Sequence, residues 1–247
     1  MQTAQASAER VIKLLSTEPS ITDTPEVVDK EGDVLHPKKE SWPEIHGNVE
    51  FKDVGFWYKE GEPILEQFNL QANQGETIAL VGETGSGKST IVNVACRFYE
   101  PKAGSVLIDG VDYRKHSQLW LQSHIGYVLQ SPHLFSGTVA ENIRYGRHEA
   151  TQEQIEQAAK MVSAHGFIQK LEHGYETQVG EGGGLLSTGE KQLISFARAV
   201  LTDPPLFVLD EATSSIDTET ELLIQDAITA TLRGRTSFII AHRLSTI

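Results

Sequence analysis

Apolar positions along the chain change period several times, and each change marks a structural element. Between residues 3 and 16, Val11, Ile12, Leu14 and Leu15 fall on one helical stripe, closed by Thr17 to Pro19. From Glu18 to Glu44 the period vanishes, and Pro19, Pro25, Pro37 and Pro43 stand among eight acidic and three basic residues. That texture predicts an extended or disordered linker, with an ordered arm packed on the domain as the alternative. Alternation returns in VEFKDVGFWY (49–58), a strand, and in ILEQFNLQA (64–72), a second strand after a turn at 61–63. TIALVG (77–82) is continuously apolar, as a strand buried on both faces is. A helix is predicted over 88–98, with strands over 105–109 and 125–130. Thr138 with Glu141 and Thr151 with Gln154 spell capping boxes, each opening a helix. Beyond them come a helix over 193–201, a strand LFVLD (206–210), a helix over 218–232 and a strand TSFIIAH (236–242). Strands alternating with helices imply an α/β fold, a parallel sheet with helices on both faces. The division this suggests is a helix at 1–17, a linker at 18–47 and a compact domain over 48–247.

Composition narrows the class. With 247 residues, 39% hydrophobic and 22% charged, the chain can bury a sizeable core. Its 21 Lys and Arg against 34 Asp and Glu give a net charge of −13, which argues against a nucleic-acid partner. The lone Cys96 excludes an internal disulfide. No apolar run approaches the ~18 residues a spanning helix needs. The start, MQTAQASAER, lacks the basic and apolar stretches of a secretion signal.

The candidate chemistry begins after the apolar strand at 77–82. Gly82, Glu83, Thr84, Gly85, Ser86, Gly87, Lys88 and Ser89 fit G-x-x-x-x-G-K-[ST] between a strand and a helix. The glycines let backbone N–H groups turn inward around phosphates, and the helix N-terminus adds its positive dipole end. Lys88 can reach the β- and γ-phosphates of a nucleotide and Ser89 can offer a hydroxyl to Mg²⁺; Thr90 belongs to the same site. Kinases, GTPases, helicases and transport motors share this loop, so a second acidic site must choose among them. LFVLD ends on Asp210 and runs directly into Glu211. Ligands of open parallel sheets collect at the carboxyl ends of strands, so Asp210 should face the crevice of the phosphate loop. It suits a Mg²⁺-associated carboxylate acting mostly through water. Glu211 is then placed to orient or deprotonate an attacking water.

Between these two sites lies LLSTGEKQLISFARAV (185–200). With the glycine loop, the Asp210–Glu211 pair and His242 at the end of a strand, the chain from about Val49 onward resembles the nucleotide-binding domain of ATP-binding cassette (ABC) transporters. The order of motifs is most similar to the exporter branch, the multidrug and lipid type of half-transporter. The resemblance implies a P-loop NTPase with a mainly parallel sheet, an N-terminal antiparallel β subdomain and a helical subdomain carrying the signature motif. It implies ATP and Mg²⁺ as cofactors, with Tyr58 stacking on the adenine. Gln130 would sense Mg²⁺ and the attacking water, making Ser89, Gln130 and Asp210 the metal-associated residues. His242 would hold the γ-phosphate, Glu211 and water in register, so Glu211, His242, Gln130 and Lys88 form the implied catalytic set. The other eight histidines read as surface or structural residues. TQVGEGG (177–183) would touch coupling helices, and Asp217 of SSID (214–217) would lie across a dimer interface. The implied partners are a second nucleotide-binding domain, in a homo- or heterodimer, and the transmembrane domain of the same transporter. The implied location is the cytoplasmic face of the cell membrane.

The same resemblance frames the ends of the chain. Residues 1–17 look like the end of a helix following the last membrane span. Only five residues follow His242, whereas the family domain continues, so its C-terminal part is expected to be absent, leaving a sheet edge exposed. ABC-type ATPases without membrane domains fit less well. Those of the DNA type carry a very long insertion where only 56 positions separate Gln130 from Leu186, and those of translation pair two glycine loops in one chain. A non-catalytic nucleotide-binding regulator is disfavoured by Glu211 and His242.

The signature departs from the family's L-S-G-G-Q, reading Leu186-Ser187-Thr188-Gly189-Glu190. Ser187 and Gly189, implied to contact a γ-phosphate held by the opposite subunit, are kept. Thr188 replaces a glycine, and its β-branched side chain would resist a positive φ. Glu190 brings a negative charge towards an anionic nucleotide, while locally Ser187 and Glu190 spell another capping box. Two readings stand: an asymmetric pair in which this signature serves a slow site, or a variant tolerated in a homodimer.

Overall fold

The computed structural model describes residues 2–210 and 218–241. The chain opens with α1 (Gln2–Leu15) and α2 (Pro25–Glu31), then the strands β1 (Val49–Phe56), β2 (Leu65–Ala72) and β3 (Thr77–Leu80), the last leading into α3 (Lys88–Ala95). Next come β4 (Ala103–Ile108), β5 (Val111–Asp112), α4 (Gln118–Ser123) and β6 (Ile125–Val128). A helical stretch follows, α5 (Val139–Arg144), α6 (Gln152–Met161), α7 (His165–Ile168) and α8 (Thr188–Val200). β7 (Leu206–Asp210), α9 (Thr218–Leu232) and β8 (Thr236–Ile240) close the described chain.

The strands form two sheets. One is antiparallel in the order β2-β1-β4-β5, and the other is parallel in the order β3-β8-β7-β6. The parallel sheet is covered on both faces, and period two sorts its side chains. Phe207, Leu209 and Ile239 enter a core shared with Ile143, Ile155, Leu193, Phe196 and Ile224 of the helical stretch and α9. Leu206, Val208, Phe238 and Ile240 enter a second core with Val92 and Val94 of α3, Trp120 of α4, and Phe51 and Val54 of the antiparallel sheet. Strands covered twice carry apolar residues at successive positions, which is why the first four residues of β7 and all five of β8 are buried. Each such Phe, Leu or Ile contributes roughly 1.5–3 kcal/mol by leaving water. β3 differs from the expectation of a strand buried on both faces. Among the described residues it pairs only with β8, and Thr77 is exposed while Ile78, Ala79 and Leu80 are half-buried.

The helix starts expected from capping boxes are present with both reciprocal bonds. The Thr138 N–H donates to Glu141 Oε2 at 2.7 Å and the Glu141 N–H to Thr138 Oγ1 at 3.1 Å. The Thr151 N–H donates to Gln154 Oε1 at 3.0 Å and the Gln154 N–H to Thr151 Oγ1 at 3.4 Å. These motifs close within one turn, so no distant contact decides them.

The extended or disordered linker expected at 18–47 is instead a folded arm. Thr24 caps α2 by accepting the Val27 N–H at 3.4 Å, and Pro25 supplies a first helical residue whose missing N–H costs nothing. At the far end of α2, Glu31 is fully buried. Its carboxylate accepts His116 Nδ1–H at 2.8 Å and the Ser117 N–H at 2.7 Å. Trp42 Nε1–H donates to the Glu31 carbonyl at 3.0 Å, and Trp120 Nε1–H to the Pro43 carbonyl at 2.9 Å. Acidic, proline-rich composition misleads here because the partners of those acids lie far along the chain and composition sees only neighbours.

Burial alone would raise the Glu31 pKa, but the Ser117 N–H, the His116 hydrogen bond and the charges of His116 and Lys30 together hold it below the ordinary 4.5. A carboxylate depressed in the folded state stabilises above its unfolded pKa, and that stability is lost as pH falls through the folded value. The arm is therefore expected to stay docked from neutral pH down to about 4.5 and to be released only below it. Hydrogen exchange of arm peptides across an acid titration checks this, and release already complete near pH 6 would contradict it.

Candidate functional site

Parallel register brings the ends of all four strands to one edge. Leu80 pairs with Ile240, Ile240 with Asp210, and Leu209 with Val128. Gly82 follows Leu80 by two residues, Gln130 follows Val128 by two, and Asp210 ends β7. The phosphate loop, the acidic residue and the glutamine thus leave the sheet at the same edge. Glu211, the 214–217 stretch with Asp217, and His242 lie outside the described residues.

The loop from β3 to α3 is shaped by its glycines. Gly82, Gly85 and Gly87 have φ of 151°, 87° and 90°, a region that side chains with a Cβ resist. Gly87 caps α3 without any side-chain acceptor, and no acidic residue sits in the first turn of that helix. Its first N–H groups and dipole end are left for an anion. Lys88 is only 8% exposed. Its ammonium donates to the carbonyls of Gly82 at 2.7 Å and Glu83 at 2.8 Å, with Ser86 Oγ at 3.5 Å. The loop therefore curls around its own lysine, while Glu83, Thr84, Gly85, Ser86 and Ser89 stay exposed to solvent.

Thr90 is buried one turn into α3, its Oγ1 3.3 Å from the Tyr58 hydroxyl. Tyr58 is 50% exposed and stands edge-on to Phe56 at 4.9 Å and Tyr99 at 5.1 Å, so its ring is fixed while part of its surface remains free. Gln130 is exposed in the bend after β6. On β6 itself, burial, the nearby Cys96 thiol and the negative charge of Asp210 push the Tyr127 phenol well above its ordinary range. Burial likewise pushes the Cys96 thiol up to about 12, which makes it an inert packing residue.

At the start of α8 the third capping box is complete. The Ser187 N–H donates to Glu190 Oε2 at 2.8 Å and the Glu190 N–H to Ser187 Oγ at 3.3 Å. Thr188 is the first residue of the helix and is not among the positive-φ residues, so the strain expected from replacing a glycine does not arise. Gly189 is buried in the first turn. Among the described residues no hydrogen bond joins Ser187 or Gly189 to the phosphate loop of the same chain.

Sequence reasoning missed a cleft on the helical side. Phe135, Asn142, Arg144, Tyr145 and His148 line a space of about 480 Å³. The Arg198 guanidinium of α8 lies over the rings of Phe135 and Tyr145, at 5.4 and 5.7 Å, and donates to the Asn142 carbonyl at 2.8 Å. Its lining comes from the single stretch 135–148, and no pattern there announces it, because only the folded path of α5 and its flanks turns these side chains towards one space.

An uncapped helix behind a glycine loop, with an acidic strand end at the same sheet edge, defines a P-loop nucleotide-binding domain. A family model described as ABC transporter matches residues 65–214. The chain belongs to the ABC transporter family, as an ATP-binding ATPase domain of the exporter type. It is 49% identical over 247 residues to a fatty acid ABC transporter ATP-binding/permease protein of Mycobacterium bovis, matching 100% of this chain and 37% of that protein. It is 43% identical over 246 residues to ABC transporter B family member 15 of Arabidopsis thaliana, which covers 99% of this chain and 19% of that protein. A solved bacterial Atm1-family ABC exporter with ATP bound superposes with a TM-score of 0.84 at 36% identity, over 100% of this chain and 41% of that one. The chain thus spans less than half the length of these relatives. Among its described residues no helix is long and apolar enough to cross a membrane.

Proposed function

We propose that this domain clasps Mg²⁺-ATP between the Gly82–Ser89 loop and Asp210, and that hydrolysis in a pair of such domains drives export of a substrate across a membrane. The observation that carries the reading is the uncapped α3 N-terminus beside a lysine already drawn into the loop. Loop N–H groups and Lys88 would neutralise the β- and γ-phosphates, and phosphoryl transfer needs little more than such charge and positioning. Tyr58 would offer its free ring surface to the adenine. The donors available to a magnesium ion are hard oxygens, the exposed Ser89 hydroxyl, the Asp210 carboxylate and the Gln130 amide, as that ion prefers. Among the described residues no three His, Cys, Asp or Glu side chains cluster to cage a metal, which leaves phosphate and water to complete the shell. When bound, the ion would supply charge neutralisation between phosphate oxygens. Glu211 would take the proton of the attacking water, with His242 and Gln130 holding the geometry.

Calorimetric titration of the protein with Mg²⁺-ATP tests this directly, and absence of uptake by folded protein would overturn it. Stacking is worth about 1–3 kcal/mol per base, so Tyr58→Ala is expected to weaken ATP binding roughly tenfold or more while Tyr58→Phe keeps it. Equal affinity of the alanine variant would remove Tyr58 from the adenine site.

The apolar, half-open space beside Phe135 and Tyr145 would seat cytosolic helices of a membrane part, placing the domain on the cytoplasmic face. In the proposed division, residues 1–17 end a helix that follows the last span. Val11, Ile12, Leu14 and Leu15 of α1 are all more than half exposed and free to pack on such a neighbour. The second domain of the pair would receive Ser187 and Gly189 at its γ-phosphate. The Ser187 hydroxyl accepts the Glu190 N–H and keeps its own O–H to donate to a phosphate, so the reading of a slow site within an asymmetric pair rests instead on the negative charge Glu190 brings towards an anionic nucleotide. Single-turnover counting of ATP per dimer is expected to show one fast site and one slow site. Two equally fast sites in a homodimer would refute the asymmetry.

A further inference from the structure

The phosphate loop opens α3, and the other end of that helix is held by a set of buried charges that the proposed chemistry does not use. Arg97 stands just past Cys96, the residue that caps the end of the helix, in a left-handed backbone with φ of 55°, and is 1% exposed. Its guanidinium pairs with Glu100 at 2.8 Å and with Asp23 of the arm at 3.0 Å, and donates to the His116 carbonyl at 2.7 Å. The Arg97 carbonyl accepts Gln118 Nε2–H at 3.1 Å, and the Gln118 backbone N–H donates to both Asp23 oxygens at 3.1 Å. Arg97 therefore ties the far end of the phosphate helix to the arm through hydrogen-bonded charge pairs.

Two further contacts extend the tie. Tyr99, two residues on, packs edge-on against Tyr58, and Ser20 and Ile21 of the arm join Tyr58 and Tyr99 around a cleft of about 290 Å³. A second clamp, Glu31 on His116 with the His116 ring 4.3 Å from Trp120, fixes the other end of α2. Releasing Glu31 from His116 would strip a buried charge of that partner, and releasing Asp23 would leave buried Arg97 with Glu100 alone of these two acidic partners, penalties that make partial release unfavourable. The arm should therefore be either docked or free, a two-state element of the kind that can carry coupling.

We propose that the arm over residues 20–43 is a coupling element in its own right: nucleotide on the phosphate loop tightens α3, and Arg97 passes that change through Asp23 to the arm and so to α1. Asp23 and Arg97 are positioning residues, acting on the nucleotide site through α3. The inference rests on the ATP-binding reading above. By linkage, if nucleotide favours the docked arm by some factor, releasing the arm weakens nucleotide binding by that same factor.

The test is hydrogen exchange of the full chain with and without saturating Mg²⁺-ATP, alongside calorimetry. In the parent protein the amides of 21–43 are expected to exchange about fivefold or more slowly with nucleotide bound. In Asp23→Asn that response should vanish, and ATP affinity should fall by a comparable factor. A purely structural arm would change the melting temperature of the variant but leave its ATP affinity where the parent has it. Arm exchange in the parent that is unchanged or faster with ATP bound overturns the proposal. Calorimetry showing no ATP uptake at all would instead sink the ATP-binding reading. Protection of β7 and β8 reports whether Asp23→Asn is folded, and if it is not, the parent's response decides alone.

Discussion

Lys88→Ala is expected to lower Mg²⁺-ATP affinity by two orders of magnitude or more while leaving the fold intact. Lys88 is 8% exposed and its ammonium is bonded to the carbonyls of Gly82 and Glu83, so its loss would remove both the charge proposed to meet the phosphates and the internal tie that shapes the loop. Hydrogen bonds to charged groups are worth about 1.5–3 kcal/mol each, and two of them correspond to a factor above about 100 in affinity. The fold should survive because Gly82 and Glu83 are exposed, so water can replace the lost donor. Calorimetry together with a thermal melt separates the two effects. An unchanged dissociation constant would take Lys88 out of the site.

Glu211→Gln should do the opposite, keeping ATP binding and slowing turnover by about 10²–10⁴. In sequence Glu211 follows Asp210, the last residue of β7, at the strand edge where the phosphate loop also emerges. The amide retains the size and polarity of the carboxylate but cannot accept a proton from water. Phosphate release measured in the assembled protein, beside calorimetry on the same variant, should show intact binding with failed chemistry. Turnover at the parental rate would end the assignment of Glu211 as base. Together the two variants divide uptake of nucleotide from its cleavage.

How much of this was legible depended on how local the governing physics was. The capping boxes at Thr138, Thr151 and Ser187 could be read directly, because donor and acceptor lie three residues apart. LFVLD and TSFII could be read as sheet-interior strands because burial on both faces demands apolar side chains at consecutive positions. TIAL has the same texture yet forms an outer strand among the described residues, since a tetrapeptide does not encode how many neighbours it will have. α4, only six residues long, escaped notice because its start signal is the single residue Ser117. The glycine loop was plain from spacing, whereas the cleft beside Arg198 was not.

The chain by itself determined its local grammar: the glycine-rich loop between strand and helix, the helix starts, the apolar strands, and the acidic residue that ends one of them. Each of these is settled by residues within a few positions of one another. The tertiary structure alone decided that an acidic, proline-rich stretch would fold as a docked arm, because Asp23 and Glu31 become stable in a buried setting only beside Arg97 and His116. It alone decided also that the ends of β3, β6 and β7 would finish level, for register arises from pairing between strands and no strand carries it alone.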